Sequence, residues 1–160
     1  MSILTIDIGC GDNKRGDIGV DIRKTRCVDV IADARFLPFK AESFDYVFSD
    51  QVIEHFSHRE IKNIMLEWVR ILKKGGTIEI LCPDLRARAF LFFLNPSWQN
   101  IKNIYGGQEY EYNYHLCGFS FGLLKNLLES CGVRNVKRVI SGYKGVPFIP
   151  NCLHVKGIKF

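Results

Sequence analysis

The stretch "DIGCGDNKRGDIGVDI", Asp7 to Ile22, decides how the chain is read. It places a glycine-rich turn after one apolar run and an acidic residue at the end of the next. In nucleotide-binding α/β folds a ligand sits beyond the carboxyl ends of the strands, and an acid ending the second strand accepts the hydroxyl protons of a ribose. A full helix normally separates the two features, yet only Gly9 to Asp17 lie between them here. An extended chain covers at most ~3.3–3.6 Å per residue, so this stretch can return beside a short strand with no length left for a helix. The first crossover is therefore expected to be a bare loop. Ile22 to Cys27, before the next apolar run, is shorter still, and the second crossover is expected to be bare as well.

Working outward, "ILTIDI" (3–8), "IGVDI" (18–22), "VDVIA" (28–32), "FDYVFS" (44–49) and "TIEILC" (77–82) are apolar, β-branched runs that read as strands. Between the last two, Ser57 and Glu60 have capping-box spacing, and Ile61, Ile64, Met65, Trp68 and Leu72 follow at helical intervals. Lys73 and Lys74 suit the negative end of that helix, and Gly75 with Gly76 is expected to stop it. "DLRARAFLFFL" (84–94) reads as a shorter helix closed by Asn95-Pro96, and Ser120 is expected to cap "FGLLKNLLESC" (121–131). "VKRVI" (136–140) and "CLHVKGIKF" (152–160) read as two final strands joined by a loop with Pro147 and Pro150. The aromatic, polar stretch 97–119 gives no clear period. Strands alternating with helices predict an α/β fold with a mostly parallel sheet and an antiparallel closing pair.

Composition narrows the classes. A chain of 160 residues with 47% hydrophobic and 24% charged residues suits one domain, 1–160, and is unlike a disordered or fibrous chain. The longest apolar runs, such as "AFLFFL" (89–94), fall far short of the ~20 residues of a membrane span. With no secretory pattern at the start, no membrane partner and a cytoplasmic location are expected. The six cysteines include no Cys-x-x-Cys pair and no zinc-type Cys/His spacing, so they read as free thiols and spacing alone predicts no metal. The formal charge of +5 is scattered, which suits an acidic partner and a solvated surface about equally.

Gly9 and Gly11 allow the backbone to approach a ligand closely, and Asp33, after the third strand, can accept from an exocyclic amine such as that of adenine. In order, "IDIGCG", "GVDI", "ADARFLPFKAESFDYVFSDQVIEHF" and "LKKGGTIEILCP" resemble the motifs of the class I S-adenosylmethionine-dependent methyltransferases, type 11 subgroup. The resemblance implies a Rossmann-like methyltransferase fold and S-adenosylmethionine as cofactor. It places Asp7, Gly9, Cys10 and Gly11 around the methionine part, Asp21 and Ile22 at the ribose, and Asp33 and Ala34 at the adenine. Ser49 and Asp50 would form the wall past which the methyl group points. Asn13 departs from the pattern, standing where many members have a third glycine.

His55 is read first as a structural residue that hydrogen-bonds its loop and second as a catalytic base. Tyr110, Tyr112, Tyr114 and His115 are core or lid packing in one reading and an acceptor pocket in the other, with Tyr114 and His115 as the substrate contacts. Residues 84–118 exceed an ordinary connection and are expected to form an acceptor pocket or a lid. An NAD-dependent oxidoreductase is disfavoured, because its acid usually lies ~20 residues beyond the glycines, and Asp21 follows Gly11 at about half that interval. A non-catalytic binding or assembly module is the other alternative. The acceptor stays open among a small molecule, a sugar, a nucleic acid and a protein. Two bare crossovers leave one sheet face under-covered, and Thr5 and Glu79 share it with apolar neighbours; a homodimer or hetero-complex through that face is expected.

Overall fold

The computed structural model describes residues 3–139 and 152–160. Strands β1 (Thr5–Ile8), β2 (Ile18–Asp21), β3 (Val30–Ile31), β4 (Phe44–Asp50) and β5 (Leu72–Pro83) run parallel. Strands β6 (Val133–Arg138) and β7 (Cys152–Lys159) complete a seven-stranded sheet of order β3-β2-β1-β4-β5-β7-β6, with β7 antiparallel to both neighbours. The helices are α1 (Ile61–Ile71), α2 (Leu85–Leu94), α3 (Trp98–Tyr105) and α4 (Phe121–Ser130). The α/β fold with a mostly parallel sheet is as the sequence predicts.

The alternation of strand side chains separates two unlike faces. Ile6 pairs with Val47, Val47 with Ile78 and Ile78 with Gly157, so these residues share one face with Ile8, Ile80, Leu153 and Val155. That face packs on Ile64, Met65, Trp68 and Ile71 of α1 and on Leu124 and Leu128 of α4, and all of these side chains are buried. The opposite face carries Thr5, Tyr46, Phe48, Glu79, His154 and Lys156. Among the described residues no helix occurs between β1 and β2 or between β2 and β3, as the short crossovers require.

On the opposite face Glu79 gathers several polar groups. The Tyr46 hydroxyl and the His154 ring bond the Glu79 carboxylate, and Lys156 Nζ lies 2.9 Å from it, which leaves Glu79 only 8% exposed. The first crossover presses on β1: Thr5 N and Oγ1 donate to Asp17 at 2.8 and 2.7 Å. A Cβ on Gly16 would stand 3.0 Å from the Asp7 amide nitrogen, so the loop passes directly against the strand backbone.

Several local expectations are corrected. Ser57 and Glu60 do not form a capping box: Glu60 is the N-cap residue, its side chain makes no cap bond, and residues 58–60 form a turn first. Lys73 to Gly76 are not a helix end but the opening of β5, which pairs Leu72 with Phe44 across a register shift. The third strand shrinks to Val30–Ile31. Helix α3, capped by Ser97, occupies part of the stretch that gave no period. Ser120 caps α4 as expected, its side chain accepting from Leu123 N, and Asp84 caps α2 by accepting from Arg86 N. The loop with Pro147 and Pro150 lies outside the described residues.

Candidate functional site

The carboxyl ends of β1, β2 and β4 meet at two connected depressions. The larger, a cavity of about 380 Å³, is lined by Ile8, Val20, Ile22, Ala32, Ala34, Val52 and Phe56, with Asp21 and Asp33 at its polar edge. The smaller, of about 260 Å³, is lined by Asp7, Cys10, Asn13, Arg15, Phe48 and Asp50. Gly9 and Gln51 line both, so the two depressions meet at the tips of β1 and β4.

Backbone geometry at this junction is special on both sides. Gly9 has φ +75°, and a Cβ there would come within 2.2 Å of Val52 Cγ2, so only glycine suits the position. Gln51 adopts φ 56°, an uncommon value for a residue with a side chain, directly after Asp50. Its amide donates to Leu81 O at 2.9 Å, which secures the turn against β5.

At the larger cavity the acids are already partly engaged. Asp21 Oδ2 accepts from Gly11 N at 3.0 Å and Oδ1 from Arg23 N at 2.8 Å, which fixes the carboxylate at the tip of β2. Arg35 bonds both oxygens of Asp33, and this side-chain bond holds the Asp33 carboxyl below its ordinary range. The loop after Asp33 is clamped by α1: Trp68 Nε1 donates to Ala34 O at 2.9 Å, Glu67 accepts from Leu37 N at 2.9 Å, and Arg70 donates to Phe39 O at 2.8 Å.

The smaller pocket is acidic with one cation. Asp7 is 2% exposed and accepts from Arg15 N at 2.8 Å. Burial pushes the carboxyls of Asp7 and Asp50 above the ordinary range, with the Arg15 charge pulling each back. The Arg15 guanidinium lies 3.1 Å from Asp50 and 4.7 Å above the Phe48 ring, while Asp50 Oδ1 is buried with no hydrogen-bond partner.

The far wall of the large cavity comes from His55, Tyr110, Tyr112, Tyr114 and Leu116. His55 Nδ1 bonds Tyr114 O at 2.9 Å, a contact to a distant segment and not to its own loop, and Arg23 stacks 4.7 Å over the Tyr110 ring. His115 lies behind this wall with Nδ1 on Ile104 O at 3.1 Å, its ring 5.1 Å from that of His55.

Of the expected site residues, Asp21, Ile22, Asp33, Ala34, His55 and Tyr114 line the larger cavity, Asp7, Cys10 and Asp50 the smaller, and Gly9 both. Gly11 contributes its amide to Asp21. Ser49 is placed elsewhere: it pairs with Ile8 and is wholly buried on the helix-covered face, where its hydroxyl has no partner. His115 does not reach the cavity lining. Sequence reasoning missed Arg15 and Gln51. Arg15 sits in the charged run "NKRGD", which reads equally well as solvated surface, and a left-handed glutamine has no sequence signature.

A glycine turn at the tip of the first strand, acids at the tips of the next two and this strand order define the class I methyltransferase arrangement. Residues 13–80 match the type 11 methyltransferase domain model, beginning just past the glycine turn. The recognition made from the motifs stands for this stretch, which carries the likeness to a methyltransferase domain. Among curated relatives, a frog (Xenopus tropicalis) tRNA (carboxymethyluridine(34)-5-O)-methyltransferase is 34% identical over 46% of this chain and 14% of its own length. The baker's yeast (Saccharomyces cerevisiae) enzyme of the same description is 29% identical over 51% of this chain and 36% of its own. The chain thus spans well under half the length of these relatives. A solved methyltransferase from Thermotoga maritima superposes with a TM-score of 0.71 at 21% identity, covering 100% of this chain and 84% of that one. One from Archaeoglobus fulgidus gives 0.65 at 17%, covering 97% and 85%. These two likenesses establish the fold.

Proposed function

We propose that the chain binds S-adenosylmethionine across the two depressions and transfers its methyl group to an acceptor by in-line displacement. The observation that carries this reading is the junction at Gly9 and Gln51, where a small acidic pocket opens into a larger apolar cavity edged by Asp21 and Asp33. The residues fit the cofactor. The unpartnered Asp50 Oδ1 and the buried Asp7 suit the ammonium of the methionine part, and Arg15 suits its carboxylate. The free lone pairs of Asp21 suit the ribose hydroxyls, and the apolar walls with Asp33 suit the adenine.

Bound in this way, the cofactor supplies a sulfonium methyl whose leaving group departs neutral. The chain's part is then positional: Gly9 brings the β1 backbone up to the ligand, Gln51 shapes the passage between the depressions, and the 110–116 wall excludes water. Holding two reactants in line can be worth ~7–11 kcal/mol of barrier. His55 in this reading orients the wall through Tyr114 O, and residues 84–118 supply the acceptor side.

Tyrosines on the wall and Arg23 and Arg35 on the rim suit an acidic, aromatic acceptor, and the curated relatives are tRNA methyltransferases. An RNA nucleobase substituent is therefore the favoured acceptor. The sheet face opposite α1 and α4 is proposed as an assembly surface, and light scattering over a dilution series tests it: a monomer throughout counts against it. The test of the main reading is cofactor turnover against RNA, metabolite, carbohydrate and peptide pools. Release of S-adenosylhomocysteine with RNA supports the whole reading, release with another pool replaces the acceptor, and none with any pool favours a binding module.

A further inference from the structure

At the tyrosine wall lies a group of side chains, two of which, Glu54 and His115, the methyl-transfer reading does not use. Glu54 is 1% exposed, and both of its carboxylate oxygens are buried with no hydrogen-bond partner. One ligand atom each from Glu54, His55 and His115 lies within 4.8 Å of the other two. The neighbouring cation, Arg88, makes no ion pair with Glu54: its guanidinium bonds Asn103 O, and its Nε is itself buried without a partner. An ionised carboxylate removed from water costs several kcal/mol unless a cation or donors meet it.

The two histidines are arranged alike. Each directs Nδ1 at a backbone carbonyl, His55 at Tyr114 O and His115 at Ile104 O. A carbonyl can only accept, so Nδ1 carries the proton in both rings, and the lone pair of each neutral imidazole is on Nε2. That is how metal-ligating histidines are usually oriented, one nitrogen fixed by an outer hydrogen bond and the other free to bind. Metal–nitrogen and metal–oxygen bonds of ~2.0–2.2 Å place ligand atoms roughly 3.4 Å apart around a tetrahedral ion. Ion binding would draw the three groups, now within 4.8 Å of one another, to that distance.

We propose that Glu54, His55 and His115 form a binding site for a divalent first-row transition ion. Two imidazoles and one carboxylate suit zinc, iron(II), cobalt(II) or manganese(II) better than magnesium or calcium, which favour all-oxygen sets. Three protein ligands leave at least one coordination position open. His55 also lines the large cavity, so the ion borders the acceptor side of the cleft and its open position suits an ionisable oxygen of the acceptor. That last role rests on the methyl-transfer reading, whereas ion binding does not. Sequence spacing gave no hint of the site, because His115 comes far downstream of Glu54-His55 and is brought back by the 106–119 connection, where Leu116 N and Cys117 N donate to Glu54 O at 2.8 and 3.1 Å.

The test uses the full chain after chelator treatment and dialysis, titrated calorimetrically with cobalt(II) and manganese(II), ions for which the free thiols compete less than for zinc. The cobalt complex is also followed by its visible absorption. One ion per chain is expected, with Glu54→Gln and His115→Asn each weakening binding by roughly tenfold or more. S-adenosylmethionine affinity, measured on the same samples, reports whether each variant is folded. No saturable binding of either ion below ~1 mM, a very weak affinity, overturns the proposal, as does binding that is unchanged in both variants. Ion binding without cofactor binding would sink the methyl-transfer reading and leave the metal site standing, and the reverse result would do the opposite.

Discussion

The two ends of the cleft differ in how their polar groups are provided for. At the adenosine end Asp21 takes two backbone amides, Asp33 takes an arginine, and the following loop is held by Glu67, Trp68 and Arg70. Toward the reacting and acceptor ends, Asp50 Oδ1, both Glu54 oxygens and Arg88 Nε are buried with no partner. A buried polar group left unpaired costs about 1–3 kcal/mol, so a fold keeps few of them. The first end is organised by the chain itself. In the proposed reading the second holds groups whose partners are ligands, with folding stability given up there for binding.

The comparison can be broken most forcefully at the junction. Gly9→Ala adds a Cβ within 2.2 Å of Val52 Cγ2 at φ +75°, so it combines backbone strain with overpacking. A loss of about 2–4 kcal/mol is expected, read as a lower denaturant midpoint, together with weakened cofactor binding. An unperturbed midpoint would mean that the turn is not as tightly packed as described.

Asp21→Ala removes an acceptor at the organised end. Cofactor affinity should fall by about 1.5–3 kcal/mol, the scale of hydrogen bonds to a charged group, with a smaller effect on the midpoint. Unchanged affinity in a folded variant would remove Asp21 from the ribose site. Glu67→Ala tests the support beneath that end, because it leaves Leu37 N without its acceptor and removes the ion pair with Arg70. A stability loss of about 1–2 kcal/mol is expected in chemical denaturation.

The smallest effect belongs to Arg35→Ala. The pair with Asp33 is partly exposed, with side chains 41% and 25% accessible, so it is worth no more than about 0.2–1 kcal/mol. Its pH dependence has a definite sign. The Arg35 bond lowers the Asp33 pKa in the folded state, so the pair's contribution is fully present above the ordinary carboxylate value. It is lost as pH falls through the lowered folded value. The gap between wild type and Arg35→Ala should therefore be present at neutral pH and close in strong acid; a gap that widens in acid would reverse the assignment.

Much of this was legible in the sequence because strand ends and chain lengths are local facts. Asp7, Asp21 and Asp33 each follow an apolar run, and a parallel sheet brings such ends together. The bare crossovers followed from reach alone. What escaped depends on contacts distant in the chain. Residues 57–60 make a turn in place of a capping box, and β5 begins as early as Leu72 because it pairs with Phe44, which local propensity does not encode. The resemblance implies a cleft position for Ser49 beside Asp50, but strand alternation turns it to the buried face. Glu54 carries no signal of its own in the sequence, since only the fold shows a carboxylate without partners.

The central claim is that the cleft is an S-adenosylmethionine site, and calorimetric titration of the full chain tests it most directly. One molecule of S-adenosylmethionine or of its demethylated product should bind per chain, with no heat from NAD or NADP under the same conditions. Binding of NAD, or no binding of S-adenosylmethionine by folded protein, would contradict the account.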